Sequence, residues 1–211
     1  MKKIYLSLII FVVLVGCTAK GDLKIFNNTN HYLYFTVLGN DYILPGSSDS
    51  DPSETIEIEI GKRFLFWGDD EKEIDLQLEG ETFMMQLSDS FGNPSGEYYT
   101  ETTVYLKAGK TTKVYTNPTH ACVKLINNSE FPISDFLYSV EDTEHSILDY
   151  ELACGDSVYQ RLIPTTEENQ LMYSFQFRFA GDEDFQEIPG SYSLFLDEEL
   201  IILAADYIDK K

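Results

Sequence analysis

Three histidines, three cysteines and 36 carboxylates are the side chains with ligating or reactive chemistry. His31, His120 and His145 sit in no Gly-x-Ser-x-Gly or His-Glu-x-x-His frame, so no nucleophile or zinc helix is preformed. His120 and Cys122 lie two apart and would share a strand face, but no third His or Cys stands near in sequence to complete a transition-metal site. Nothing in the sequence activates the thiol of Cys154 toward His145. The hard-oxygen candidates are Asp49, Asp51 and Glu54 on one Pro-containing loop, with Asp69-Asp70-Glu71 and Asp182-Glu183-Asp184 in turns read as equivalent. Calcium selects such oxygens. The ligand set is incomplete and the EF-hand spacing absent, so these are read first as solvated loops and only second as a calcium site. No pair of acids can be singled out for glycoside hydrolysis. No catalytic residue and no cofactor is assigned.

Cys17 has a clearer context. Lys2 and Lys3 precede an apolar run from Ile4 to Val15, which ends in Leu14-Val15-Gly16-Cys17. This segment resembles a bacterial lipoprotein signal with its lipobox. The resemblance implies cleavage before Cys17, a diacylglycerol on its thiol, and a membrane as the first partner. The apolar run is too short for a transmembrane helix, which needs roughly 20 apolar residues. Thr18, rather than Asp, at the second mature position implies the outer membrane, with the face left open. Residues 1–16 are thus the expected signal peptide and 17–21 a lipidated tether. Cys122 and Cys154 then remain as a pair in a compartment that permits disulfides. A bridge between them would close a loop of about 33 residues, worth roughly 3 kcal/mol; the alternative is two separate buried thiols.

The elements that must position these residues are strands. Fifteen basic residues face 36 acidic ones, a net charge of −21, and removal of residues 1–16 takes two lysines and leaves −23. Such a chain is repelled by nucleic acid and anionic headgroups. Fourteen Phe and fourteen Tyr are nevertheless enough for a folded core. The acids alternate with apolar residues, as in Glu54-Thr55-Ile56-Glu57-Ile58-Glu59-Ile60, the pattern of a strand with one wet face. Similar alternation recurs along nearly the whole chain, broken by turns such as Asn27-Asn28, Ala108-Gly109-Lys110 and Asn127-Asn128. Only Leu200–Ile208 reads equally as strand or helix.

The pattern also repeats. Lys24-Ile25-Phe26-Asn27-Asn28-Thr29 matches Lys124-Leu125-Ile126-Asn127-Asn128-Ser129, and Asp41-Tyr42-Ile43-Leu44 matches Asp149-Tyr150-Glu151-Leu152. Glu54-Thr55-Ile56 then matches Asp156-Ser157-Val158, and Phe66-Trp67-Gly68-Asp69-Asp70 matches Phe179-Ala180-Gly181-Asp182-Glu183. The expected architecture is all-β: two tandem immunoglobulin-like sandwiches, 22–116 and 120–211, joined at Asn117-Pro118-Thr119. This outline resembles the sandwich modules of cell-envelope lipoproteins; a single closed barrel is the runner-up.

Divergent loops on a repeated scaffold are where binding specificity commonly sits. Here they are Ser47–Ser53 and Pro164–Asn169. Tyr98-Tyr99, in an extra region of the first copy, would form a contact surface if both were exposed; one inward and one outward is the plainer strand expectation. Three function classes follow. The favoured one is a non-enzymatic envelope lipoprotein that binds an envelope protein, a glycan or a host surface. The second is an inhibitor or immunity protein against a cationic hydrolase, steered by charge. The third is a glycan-active enzyme.

Overall fold

Alternating side chains build nearly every long strand, because one face must be buried and the other hydrated. The computed structural model describes residues 17–47, 52–63, 71–88 and 94–210. The chain divides into two compact units. One runs to Glu79 and resumes over Met85–Asn117; the other takes Gly80–Met84 together with Pro118–Lys211.

The first unit contains β1 (Cys17–Asn27), β2 (Leu33–Val37), β3 (Asn40–Leu44), β4 (Ser53–Arg63), β5 (Glu71–Gly80), β6 (Met85–Ser88), β7 (Pro94–Tyr99), β8 (Glu101–Lys107) and β9 (Thr111–Thr116). Its sheets are ordered β4-β1-β9 and β3-β2-β5-β8, with β6-β7 as a separate two-stranded ribbon. Buried residues alternate along both larger sheets: Leu23 and Ile25 on β1, Phe35 and Val37 on β2, Ile74, Leu76 and Leu78 on β5.

The second unit contains β10 (Ala121–Ile126), β11 (Ile133–Val140), β12 (Thr143–Ser146), β13 (Ser157–Leu162), β14 (Tyr173–Phe179), β15 (Gln186–Glu187), β16 (Glu199–Leu203) and a closing 3-10 helix, Ala204–Lys210. Its sheets are β13-β10-β16 and β12-β11-β14-β15. Val123 and Leu125 from the first of these meet Ile133, Phe136, Tyr173, Phe175, Phe177 and Phe179 from the second in one core. This is a sandwich, as the alternation predicts.

The two units share a strand order. Each first strand lies at the centre of its three-stranded sheet, antiparallel to the fourth strand and parallel to the last. Leu23 pairs with Ile56 and Thr112, and Val123 with Gln160 and Leu200. An immunoglobulin constant domain instead pairs its first strand with its second, so this sandwich has a connectivity of its own. The region between β14 and β15 holds no counterpart of the β6-β7 ribbon.

Three sequence expectations change. Residues 17–21, expected as a tether, belong to β1 and pair with residues 58–63 of β4 across a bulge at Ala19/Lys20; alternation is hard to see in so small and polar a stretch. Residues 80–84, expected in the first domain, belong to the second unit. The Phe66–Asp70 block, matched in sequence to Phe179–Glu183, lies outside the described residues. Finally, Leu200–Ile208 is both things in turn, strand to Leu203 and 3-10 helix from Ala204.

Candidate functional site

The repeated Asn-Asn-Thr/Ser motif is a hydrogen-bonded knot at the end of each first strand. In the first unit the fully buried Asn27 donates from Nδ2 to the carbonyls of His31 at 2.8 Å and Pro45 at 2.6 Å, while its Oδ1 accepts from Thr29 N at 3.0 Å and Thr29 Oγ1 at 2.9 Å. In the second, Asn127 Nδ2 donates to Phe131 O at 2.9 Å and Leu152 O at 3.0 Å, and Ser129 Oγ donates to Asn127 Oδ1 at 2.7 Å. A carboxamide suits this place because it satisfies buried carbonyls and a buried amide at once. The knot fixes the position of the fourth residue beyond the Asn: His31 in one unit, Phe131 in the other.

Around Phe131 the second unit forms a cavity of about 260 Å3 at the end of β10 remote from the chain's entry. Phe131, Phe179, Ala180, Asp182, Tyr207 and Ile208 are among its walls. Three ties hold them. Ala180 N donates to Pro132 O at 2.8 Å, fixing the end of β14 beside Phe131. Asp182 N donates to Phe179 O at 3.1 Å, a tight turn that needs Gly181 at φ +87° and returns the half-buried Asp182 to the mouth. Ala205 N donates to Asn128 Oδ1 at 2.8 Å, docking the 3-10 helix that carries Tyr207.

The rings make corners. Phe131 and Phe179 lie 6.0 Å apart at 67°, and Tyr207 meets Phe177 at 5.6 Å and 90°. Burial, with Tyr192 and Asp206 adding to it, raises the Tyr207 pKa and keeps the phenol neutral. The wall residues come from three distant stretches, so no local signal marked this site; the 127–129 motif fixed only one corner of it. Depressions of about 530 and 420 Å3 over the four-stranded sheet of the first unit are more open and are lined by Thr36, Gln77 and other side chains of the sheet surface.

A second polar cluster in this unit is structural. Glu81, 2% exposed at its side chain, accepts from Lys124 Nζ at 2.6 Å, and Gly80 O accepts from Arg161 Nε at 2.6 Å. Thr82 Oγ1 donates to Asp197 at 2.6 Å, and Thr82 O accepts from the amides of Thr119 and His120. Burial works most strongly against the charge of Lys124, but its hydrogen bond to Glu81 and the nearby charges of Glu81 and Glu199 together outweigh it and raise its pKa. These bonds explain why residues 80–84 travel with the second unit.

The residues singled out from sequence fall as follows. Residues 1–16 lie outside the described residues, and Cys17 opens β1. Among the described residues no helix is long and apolar enough to cross a membrane. Asp49 and Asp51 lie outside the described residues, while Glu54 is an exposed β4 residue paired with Ile25. The expected Cys122–Cys154 bridge is absent: both thiols are free, one buried and one exposed. Gly155 N donates to Asn127 O, so Cys154 stands at the far end of β10. That is five residues beyond Cys122, about 17 Å of strand, where a bridge tolerates about 7 Å. Burial first, then Glu199 and Glu81, push the Cys122 thiol far above its usual range and deprive it of nucleophilic character.

His120 is buried, its Nδ1 2.8 Å from Thr119 Oγ1, and His145 stacks on Tyr138 at 4.8 Å. The 164–169 loop is tied to itself rather than open: Thr165, 3% exposed, accepts at Oγ1 from Leu171 N, and Thr166 N donates to Asn169 O. Tyr98 and Tyr99 are both exposed, at 39% and 38%, because a two-stranded ribbon leaves both its faces open.

No protein-family model matches the chain, and no curated protein matches it. Among solved structures, the Bacillus anthracis TIE protein aligns over 88% of this chain and 34% of its own at 9% identity, with a TM-score of 0.28. The chain therefore spans about a third of that protein. The major pilin protein T3.2 of Streptococcus pyogenes aligns over 88% and 97% at 10% identity and TM-score 0.25. A DUF3823 family protein of Bacteroides uniformis aligns over 88% and 100% at 10% identity and TM-score 0.22. Likeness at this level supports no functional argument.

Proposed function

We propose that this chain is a lipid-anchored, non-enzymatic cell-envelope protein whose second unit binds a partner protein at its aromatic end. The observation that carries the reading is the cavity itself: half-exposed Phe131 with Phe179, Tyr207 and Ile208, held by the Asn127 knot. A volume of about 260 Å3 is below the roughly 300–1,000 Å3 of pockets for drug-sized ligands. It suits one inserted side chain better than a whole metabolite. The acid excess of −21 favours encounter with a basic partner and repels nucleic acid.

The lipobox supports anchoring at Cys17 and, through Thr18, an outer-membrane destination. Because Cys17 opens β1 and pairs with Arg63, a lipid there would hold the first unit close to the bilayer with little spacer. The test is affinity capture from crosslinked envelopes of the native organism, with the lipidated chain tagged at its C-terminus, followed by mass spectrometry. One basic protein captured by the parent chain, and lost when Phe131→Ser removes the ring, is the expected result. Recovery of bulk lipoproteins alone would overturn the protein-partner reading. Fatty-acid labelling that persists in Cys17→Ser would overturn the anchor.

A further inference from the structure

We infer that the cavity at the end of the second unit is a receptor for a cationic side chain, a lysine or arginine supplied by the partner. The inference rests on the binding-module reading above and adds the chemistry of the contact. An apolar cavity in a protein this acidic would by default take an aliphatic side chain, but three features argue for a cation.

Three of the seven described lining residues are aromatic. Phe131, Phe179 and Tyr207 each contribute a ring, and the Phe131 and Phe179 planes stand at 67°, a corner that a small cation can contact from two sides. Ring quadrupoles attract ammonium and guanidinium groups within about 6 Å, most strongly where water is partly excluded. The polar side chains of the lining are Asp182, Gln186 and the Tyr207 phenol. They supply one carboxylate, an amide and a hydroxyl, and no cationic side chain lies among the described lining residues. The nearby arginine, Arg178, is engaged elsewhere: Asp135 accepts its Nε at 2.9 Å, and its guanidinium lies 4.8 Å from the Phe185 ring. The described lining therefore offers one carboxylate and three ring faces.

The equivalent corner of the first unit sharpens the point. The knot around Asn27 presents His31 where the second presents Phe131. The first unit passes from β9 into Asn117, with no counterpart of the 3-10 helix that carries Tyr207. Two of the three rings are therefore features of the second unit alone, added to a scaffold that stands without them.

The test is calorimetric titration of the chain 17–211, with Cys17→Ser for solubility, against acetyl-Gly-Lys-Gly-amide, its arginine analogue and its norleucine analogue. The cationic peptides are expected to bind about tenfold more tightly than norleucine, as a cation–π contact of ordinary strength requires. Phe131→Leu, which keeps apolar bulk and removes the ring, should abolish most of that preference, and Asp182→Asn should weaken the cationic peptides while leaving norleucine unchanged. Phe131 is 51% exposed, so this variant keeps its fold. Equal binding of lysine and norleucine, or no binding of either, overturns the inference. If lysine preference is lost while a partner is still captured from envelopes, only this inference fails. If lysine preference holds and capture fails, only the protein-partner reading fails.

Discussion

Asn27 ties a loop that presents His31, and Asn127 ties an equivalent loop that presents Phe131, through nearly the same set of side-chain-to-carbonyl hydrogen bonds. From there the units part. The first spends its additional residues on the β6-β7 ribbon with Tyr98 and Tyr99 exposed; the second adds a 3-10 helix that closes an aromatic cavity. The contrast teaches that the repeated residues are those that hold the scaffold, while the surface differs where the knot leaves the chain free. Buried polar groups are costly unless every one is paired, so the knot tolerates little change, whereas its fourth residue, half-buried His31 in one unit and exposed Phe131 in the other, differs between them.

The largest expected difference between the units concerns Glu81. This residue lies in sequence within the first copy but is buried against Lys124 of the second unit. Glu81→Ala leaves the ammonium without its carboxylate and should cost about 3–5 kcal/mol. Hydrogen exchange should show the loss in β10 and β13 and leave the amides of β1 protected. Pairing the change with Lys124→Met should recover most of it, since two apolar groups need no partner.

The knots come next. Asn127→Ala removes the donors to Phe131 O and Leu152 O and should cost about 2–3 kcal/mol, lowering protection in the second unit. Asn27→Ala should do the same in the first. A variant that destabilised neither unit would show that the shared motif is a turn former and not a clamp.

A pH dependence follows for the second unit. Burial, and behind it Arg161, lowers the His120 pKa from 6.5 to about 4. The folded value lies below the unfolded one, so neutral His120 contributes its full stabilisation above about pH 6.5. That contribution drains away as pH falls from there to about 4, a loss on the order of 2 kcal/mol. His120→Gln should flatten this slope in denaturant titrations between those pH values. An unchanged slope would assign the acid sensitivity to carboxylates.

The smallest effect is a null. Reducing agent should leave the stability of the second unit unchanged, and a thiol reagent should modify Cys154 at once and Cys122 only on unfolding, because the two thiols are free and only Cys154 is exposed. A shift of the unfolding midpoint on reduction would restore the bridge.

Much of the scaffold was legible. Period-two alternation announced the strands, and the matched Asn-Asn blocks announced two similar units, because a repeated interior demands repeated residues. Leu44 and Leu152 confirm that alignment physically, since the carbonyl of each faces its own Asn side chain. The third block is displaced: Ser53 and Ser157 occupy the same register against β1 and β10, two residues from the match read in sequence, and a shift of two preserves the buried face. What was not legible is what depends on contacts distant in sequence. The cavity joins residues near 131, 182 and 207, and the 80–84 segment pairs with positions about 40 to 115 residues further on. The cysteine pairing failed for the same reason: a plausible loop length says nothing about which ends of a strand the thiols occupy.

Whether the second unit binds through its aromatic end is read most directly from an amide NMR titration of the chain 17–211 with acetyl-Gly-Lys-Gly-amide. If the second unit carries the binding site, shifts are confined to the neighbourhoods of Phe131, Phe179–Asp182 and Tyr207, with the knot around His31 silent. Shifts of equal size around His31, or spread over the acidic surface of both units, would contradict it.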